Sequence, residues 1–212
     1  MSTFLDCEQR SDAWRQARCG KVTASHIKDV LAKGKGNTEA VTRRDYKIQI
    51  VSEILTGFPQ DNDFFSPAME HGIQMEPAAR DAYRATCGLP VTEIGLVIHP
   101  LIPRGAASPD GLVGTNGLVE IKAPKMATHL GYLLSGEVPS DYIPQMAWQM
   151  ACTEREWCDF VSFDDRFPKG MQLFVIRYER DEEKIKAIEE EVNRFLAEVD
   201  AMANMLKERF PA

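Results

Sequence analysis

The chain has 212 residues, 44% hydrophobic and 27% charged, with a formal net charge of −7. That balance fits a single globular domain with a substantial core. No apolar run approaches the roughly 20 residues of a membrane span, Asp6 and Glu8 interrupt the N-terminal stretch where a secretory signal would need an apolar core, and five cysteines without a C-x-x-C pair argue against a disulfide framework or a zinc ribbon.

Taken along the chain, Ser11–Arg18 reads as a short helix around Trp14. Thr23 or Ser25 offers a cap for a second helix through Ile27, Val30 and Leu31. Glycines make residues 33–37 a loop, after which Thr38 offers a cap for a helix through Tyr46, Ile50 and Leu55, stopped by Gly57 and Pro59. Residues 57–63 read as a loop. Ser66-Pro67 is a helix start, with a capping serine and proline at the first helical position; the helix carries Met69, Ile73, Glu76, Arg80 and Tyr83, is kinked or broken at Pro77, and ends at Gly88.

Strand signals follow at Val91–Ile98, Gly105–Ser108 and Leu118–Ile121. Asp110-Gly111 and Asn116-Gly117 are turn-forming pairs, so 110–121 reads as a hairpin. Helical patterns return at Lys125–Leu134 and Tyr142–Cys152, strands at Trp157–Phe163 and Leu173–Tyr178, and an amphipathic helix covers Asp181–Arg209. The order indicates an α/β (α+β) fold with a small mixed central β-sheet flanked by helices.

Charge is unevenly spread. Residues 10–50 hold ten Lys/Arg against four acids, and residues 179–209 hold ten acids against six bases. A basic face on an acidic protein and solvated helix faces of opposite sign both fit this pattern.

The sharpest local signal is Ser108-Pro109-Asp110 followed by Glu120-Ile121-Lys122. On a strand, Glu120 and Lys122 point to one face and Ile121 to the other, and the hairpin brings Asp110 beside Glu120. Two carboxylates so placed raise each other's pKa unless a cation lies between them. A hard divalent ion accepts carboxylates, water and phosphate oxygens together, and such a site suits phosphodiester hydrolysis. The competing reading is an ordinary hairpin with a surface Glu and Lys. The four histidines, His26, His71, His99 and His129, lack metal-ligand spacing and read as structural or surface residues; Trp14 and Trp148 read as core.

Four ordered blocks make the chain resemble the phage lambda exonuclease family, the YqaJ-type viral recombinase nucleases of the PD-(D/E)xK superfamily. They are Ala13-Trp14 through Arg18 to Ser25; Gly72 to Glu76 with Ala79-Arg80; Ala107 to Leu112 with Gly117 to Pro124; and Tyr142 to Met146. The resemblance implies a PD-(D/E)xK, restriction-endonuclease-like core in a single domain: residues 1–60 an N-terminal helical region with a 5′-phosphate pocket, 61–178 the catalytic core, 179–212 a C-terminal helix. It implies metal ligation by Asp110, Glu120, the Ile121 carbonyl and Glu76, water activation or orientation by Lys122, support from Gln145 and Tyr142, and 5′-phosphate binding by Arg18, Ser25 and Ser108.

It further implies a Mg²⁺-dependent, processive 5′-to-3′ exonuclease on linear double-stranded DNA, with two ions and Mn²⁺ as a substitute. The enzyme would release mononucleotides and leave 3′ single-stranded tails for recombination. A homotrimeric ring, a single-strand annealing protein as partner, and a phage- or prophage-encoded protein of the bacterial cytoplasm complete that picture. Rival readings are another PD-(D/E)xK endonuclease, a non-catalytic DNA-binding subunit and an interaction module built on the C-terminal helix. The iron–sulfur version is disfavoured because the cysteines are not clustered.

Overall fold

A computed structural model describes residues 2–36, 38–60 and 67–211. In chain order the elements are β1 (Thr3–Leu5), α1 (Asp12–Arg18), β2 (Val22–Thr23), a 3₁₀ turn (Ala24–His26) running into α2 (Ile27–Val30), α3 (Val41–Thr56) and α4 (Pro67–Cys87). Then come β3 (Val91–Thr92), β4 (Leu96–Ile98), β5 (Gly105–Ala107), β6 (Gly111–Val113), β7 (Gly117–Lys122), α5 (Met126–Ser135), α6 (Ile143–Thr153), β8 (Trp157–Phe163), a 3₁₀ turn (Lys169–Met171), β9 (Leu173–Glu179) and α7 (Glu182–Arg209).

The mixed central sheet has five strands in the order β3-β6-β7-β8-β9. Only β7 and β8 run parallel within it, so the chain must cross over between them, and α5 and α6 make that crossover. A second sheet of four strands, β1-β4-β5-β2, is an addition the sequence did not foretell. The Val91–Ile98 run, read as one strand, divides into β3 and β4, which join different sheets.

Each face of the central sheet has its own core. Leu118, Cys158 and Phe160 pack on one side with the buried α6 residues Met146, Trp148 and Met150 and with the inner face of α7. Val119, Ile121, Val161 and Phe163 pack on the other with Ala79 and Tyr83 of α4. Helix α6 packs against strands of both sheets and is buried from Met146 to Thr153. Gly117 is required by a close approach: a Cβ there would lie 2.1 Å from the Trp157 ring of the adjacent strand.

Several local expectations need correction. Ser11 caps α1 and accepts from the Trp14 N–H, but neither Thr23 nor Ser25 caps α2. Thr38 donates its hydroxyl to the Lys35 carbonyl while Ala40 occupies the start of α3; a local side-chain turn wins over the cap. Gly57 ends α3 with φ +73°. Helix α4 is not broken at Pro77, although the proline gives up one intrahelical hydrogen bond and its ring crowds the carbonyl four residues earlier; the Ser66 cap and part of the 57–63 loop lie outside the described residues.

All five cysteines are free thiols. No helix among the described residues is long and apolar enough to cross a membrane. Part of the basic excess of residues 10–50 is met inside the molecule, because Arg43 and Lys47 of α3 pair with Glu198 of α7.

Candidate active site and phosphate cavity

The β6–β7 hairpin does what the turn pairs foretell. Gly111, Leu112 and Val113 pair with Val119, Leu118 and Gly117. Asp110, just before β6, accepts the Ile121 N–H through Oδ2 at 2.6 Å. This ties the first carboxylate to the peptide that joins Glu120 to Ile121.

Glu120 is 1% exposed, and both of its oxygens have partners. Its Oε1 receives Gln145 Nε2 at 2.6 Å and Lys122 Nζ at 2.5 Å, and its Oε2 receives Gln149 Nε2 at 2.6 Å. Both glutamines come from α6, one turn apart, so a single helix face clamps both oxygens. Gln149 was missed at the sequence level; its spacing of four from Gln145 was the available signal. Tyr142, at the start of α6, stacks on Phe160 and lies 5.1 Å from Lys122 Nζ, so it serves packing and the site at once.

Electrostatics separate the groups. Burial pushes the Asp110 carboxyl well above the usual carboxylate range, Glu120 pushes it further, and Lys122 opposes both. Burial acts to lower the Lys122 ammonium, but Glu120 and then Asp110 outweigh it and hold it above the ordinary lysine value. Two acids therefore share one ammonium that is already committed to Glu120, and Asp110 lacks a cation of its own.

Glu76 of α4 adds a negative potential at Asp110, but it is held by Arg80 Nη2 at 2.5 Å and by Arg10. Among the described residues no three His, Cys, Asp or Glu side chains are already arranged around one point for an ion. The donor chemistry nevertheless suits a hard divalent cation: a buried carboxylate, Glu120, and a half-buried one, Asp110, are short of positive charge, with Ile121 next to Glu120 in the same strand.

A cavity of about 170 Å³ opens beside this cluster, lined by Gln9, Arg10, Trp14, Arg18, Ala24, Ser25, Ser108 and Gln145. It gathers all three residues expected around a phosphate, and Gln145 joins it to the carboxylates. Arg18 lies over the Trp14 ring at 4.0 Å and donates to Thr23 Oγ1 at 3.3 Å. Trp14 Nε1 donates to Ser108 Oγ at 2.8 Å. Trp14, read as core, is thus a half-buried wall of this cavity, whereas Trp148 is fully buried. The histidine reading fits the contacts: His129 bonds Ser162 and the Met171 carbonyl, and His99 bonds Glu189.

The model of the YqaJ-like viral recombinase domain matches residues 13–156. Among solved structures, an alkaline exonuclease (LHK-Exo) from Laribacter hongkongensis is 46% identical over 94% of this chain and 97% of that one, with a TM-score of 0.86. The same enzyme in complex with dAMP gives the same values. A phage-related exonuclease from Haemophilus somnus 129PT shares the fold at 17% identity, covering 88% of this chain and 96% of that one, with a TM-score of 0.67. No curated protein sequence matches the chain.

Proposed function

The chain belongs to the YqaJ-like viral recombinase family, and on that premise we propose that it is a Mg²⁺-dependent exonuclease degrading linear double-stranded DNA from the 5′ end. That it is a nuclease follows from the family and from its likeness to an alkaline exonuclease. The observation that carries the mechanism is the pair of half-buried Asp110 and buried Glu120, set together at a hairpin with one shared ammonium.

Asp110, Glu120 and the Ile121 carbonyl would hold the first divalent ion, and Glu76, once released by an arginine, would add a carboxylate for a second. Bound there, divalent ions supply charge neutralisation of the phosphate and a lowered pKa of bound water. Gln145 and Gln149 hold Glu120 in one rotamer. Lys122, kept cationic by Glu120 and Asp110 in the metal-free protein, would activate or orient the attacking water and stabilise negative charge growing on the phosphate. Tyr142 limits the sweep of the Lys122 ammonium from one side.

Arg18, Ser25 and Ser108 would hold the terminal 5′-phosphate in the cavity, by a guanidinium fork and hydroxyl donors. Trp14 fixes the Ser108 hydroxyl. A head-to-tail homotrimeric ring threaded by DNA would account for processive digestion by an acidic protein, since only the channel needs to attract phosphate. The 3′ tails left behind would be the substrate of a single-strand annealing protein.

The test is a polarity assay on linear duplexes labelled at either strand end. Mononucleotide release from the 5′ end with Mg²⁺, and none with EDTA, is the expected outcome. Release from the 3′ end, or cleavage of supercoiled circles, would support an endonuclease or an enzyme of opposite polarity instead.

A further inference from the structure

Arg10 sits just before the Ser11 cap of α1 with φ +69°, a left-handed backbone that glycine adopts freely and arginine does not. Its neighbours impose this conformation. Gln9 donates to the carbonyls of Ile94 (2.9 Å) and Pro109 (3.1 Å), while Ser11 Oγ donates to the Glu8 carbonyl (2.6 Å) and accepts from the Trp14 N–H (3.2 Å). The backbone here is better suited to glycine, so what arginine brings is its side chain. A side chain kept at an unfavourable backbone position, over-determined by its surroundings, points to a role.

That side chain forms part of the wall of the cavity with Arg18, Ser25 and Ser108, and its Nη2 pairs with Glu76 Oε2. Glu76 Oε1 has a separate partner in the buried Arg80. Arg10 is half-exposed, with 43% of its side chain open, whereas Arg80 shows 8%. Of the two guanidiniums on Glu76, Arg10 is therefore the one free to move.

Resting on the reading of the cavity as an end-phosphate pocket, we infer that Arg10 is a second phosphate-binding guanidinium, held by Glu76 until a 5′-phosphomonoester enters. A terminal monoester carries nearly two negative charges and an internal diester one, so a pair of guanidiniums favours the end of a strand over its interior. Movement of Arg10 onto the phosphate leaves Glu76 with Arg80 alone and opens Oε2 beside Asp110. End recognition and completion of the carboxylate cluster are then one event, which makes Arg10 a specificity-determining residue.

The experiment measures binding of hairpin duplexes with a single 5′-phosphate or 5′-hydroxyl end, by fluorescence anisotropy in EDTA so that nothing is hydrolysed. Wild type prefers the phosphate end. Arg10→Gly, whose glycine fits the same backbone, lowers that preference about tenfold or more without lowering the melting temperature. Arg10→Lys, which keeps the charge and loses the fork, lowers the preference about threefold or more and decides the matter by itself if the glycine variant does not fold. A preference equal to wild type in the variant that folds overturns the assignment, as does a lowered melting temperature with the preference intact. A wild type without any preference sinks the pocket reading itself, a result distinct from failure of Arg10 alone.

Discussion

Two clusters of acids in this molecule meet opposite fates. Between α3 and α7, Glu198 bonds Arg43 at 2.7 and 2.9 Å and Lys47 at 2.7 Å, and Glu39 shares both cations. The Arg43 hydrogen bond, with Lys47 behind it and burial opposing, holds the Glu198 carboxyl down at about 2. At the β6–β7 hairpin, Asp110 is driven the other way by burial and by Glu120. The first cluster is complete and serves to fasten the C-terminal helix; the second has one ammonium, Lys122, for two acids, and that deficit is the ground for proposing a cation there.

The comparison can be broken at several points. The largest effect falls on chemistry: Asp110→Asn and Lys122→Ala should each slow hydrolysis by about a thousandfold or more, read as nucleotide release from labelled duplex. Full activity in Lys122→Ala would remove lysine from the mechanism.

Next comes stability without metal. A carboxyl whose folded pKa is raised favours folding only at low pH and opposes it as pH rises through the unfolded and then the folded value. Asp110→Asn should therefore raise the metal-free melting temperature at pH 8, and divalent ion should stabilise wild type by several degrees, about 2.7 kcal/mol at one hundred times Kd, but not the variant. Calorimetry with Mg²⁺ or EDTA checks both.

A smaller effect isolates the clamp. Gln149→Leu removes the donor to Glu120 Oε2 and should weaken Mn²⁺ binding roughly ten- to a hundredfold, measured by titration calorimetry. An unchanged affinity would mean that Gln145 and Lys122 suffice.

The smallest belongs to the complete cluster. Glu198 is 42% exposed on its side chain, so solvent screening limits its worth, and Glu198→Gln should cost about 0.5–1 kcal/mol at pH 7. Because its folded pKa is depressed, that contribution is present above the ordinary glutamate value and is lost as pH falls towards 2. Melting curves of wild type and variant should converge across that window.

The hairpin and its three charged groups were legible because turn pairs and strand alternation are local rules, and Asp110, Glu120 and Lys122 meet where those rules place them. Long elements such as α7 were legible for the same reason, through a periodic apolar face. β1 and β2 were not: three and two residues carry no period, and their pairing with β4 and β5 is set by distant chain. Gln149 was missed because a buried glutamine at helical spacing looks like any polar residue until a buried carboxylate is found opposite it. The left-handed backbone of Arg10 was not legible because sequence does not reveal φ at a non-glycine residue. Trp14 was read as core rather than as a base-stacking platform, yet its indole N–H donates to Ser108 and it lines the cavity.

Because β7 and β8 run parallel, the chain must leave the sheet between them and return. The crossover between these strands is also the element that delivers both amide donors to Glu120. With α6 not yet docked, the hairpin can still bring Asp110 beside Glu120, but Glu120 lacks its two amide donors and is hydrated instead. The fixed rotamer of Glu120 is thus a property of the finished topology, and on the proposed mechanism a chain caught midway through assembly carries no working blade.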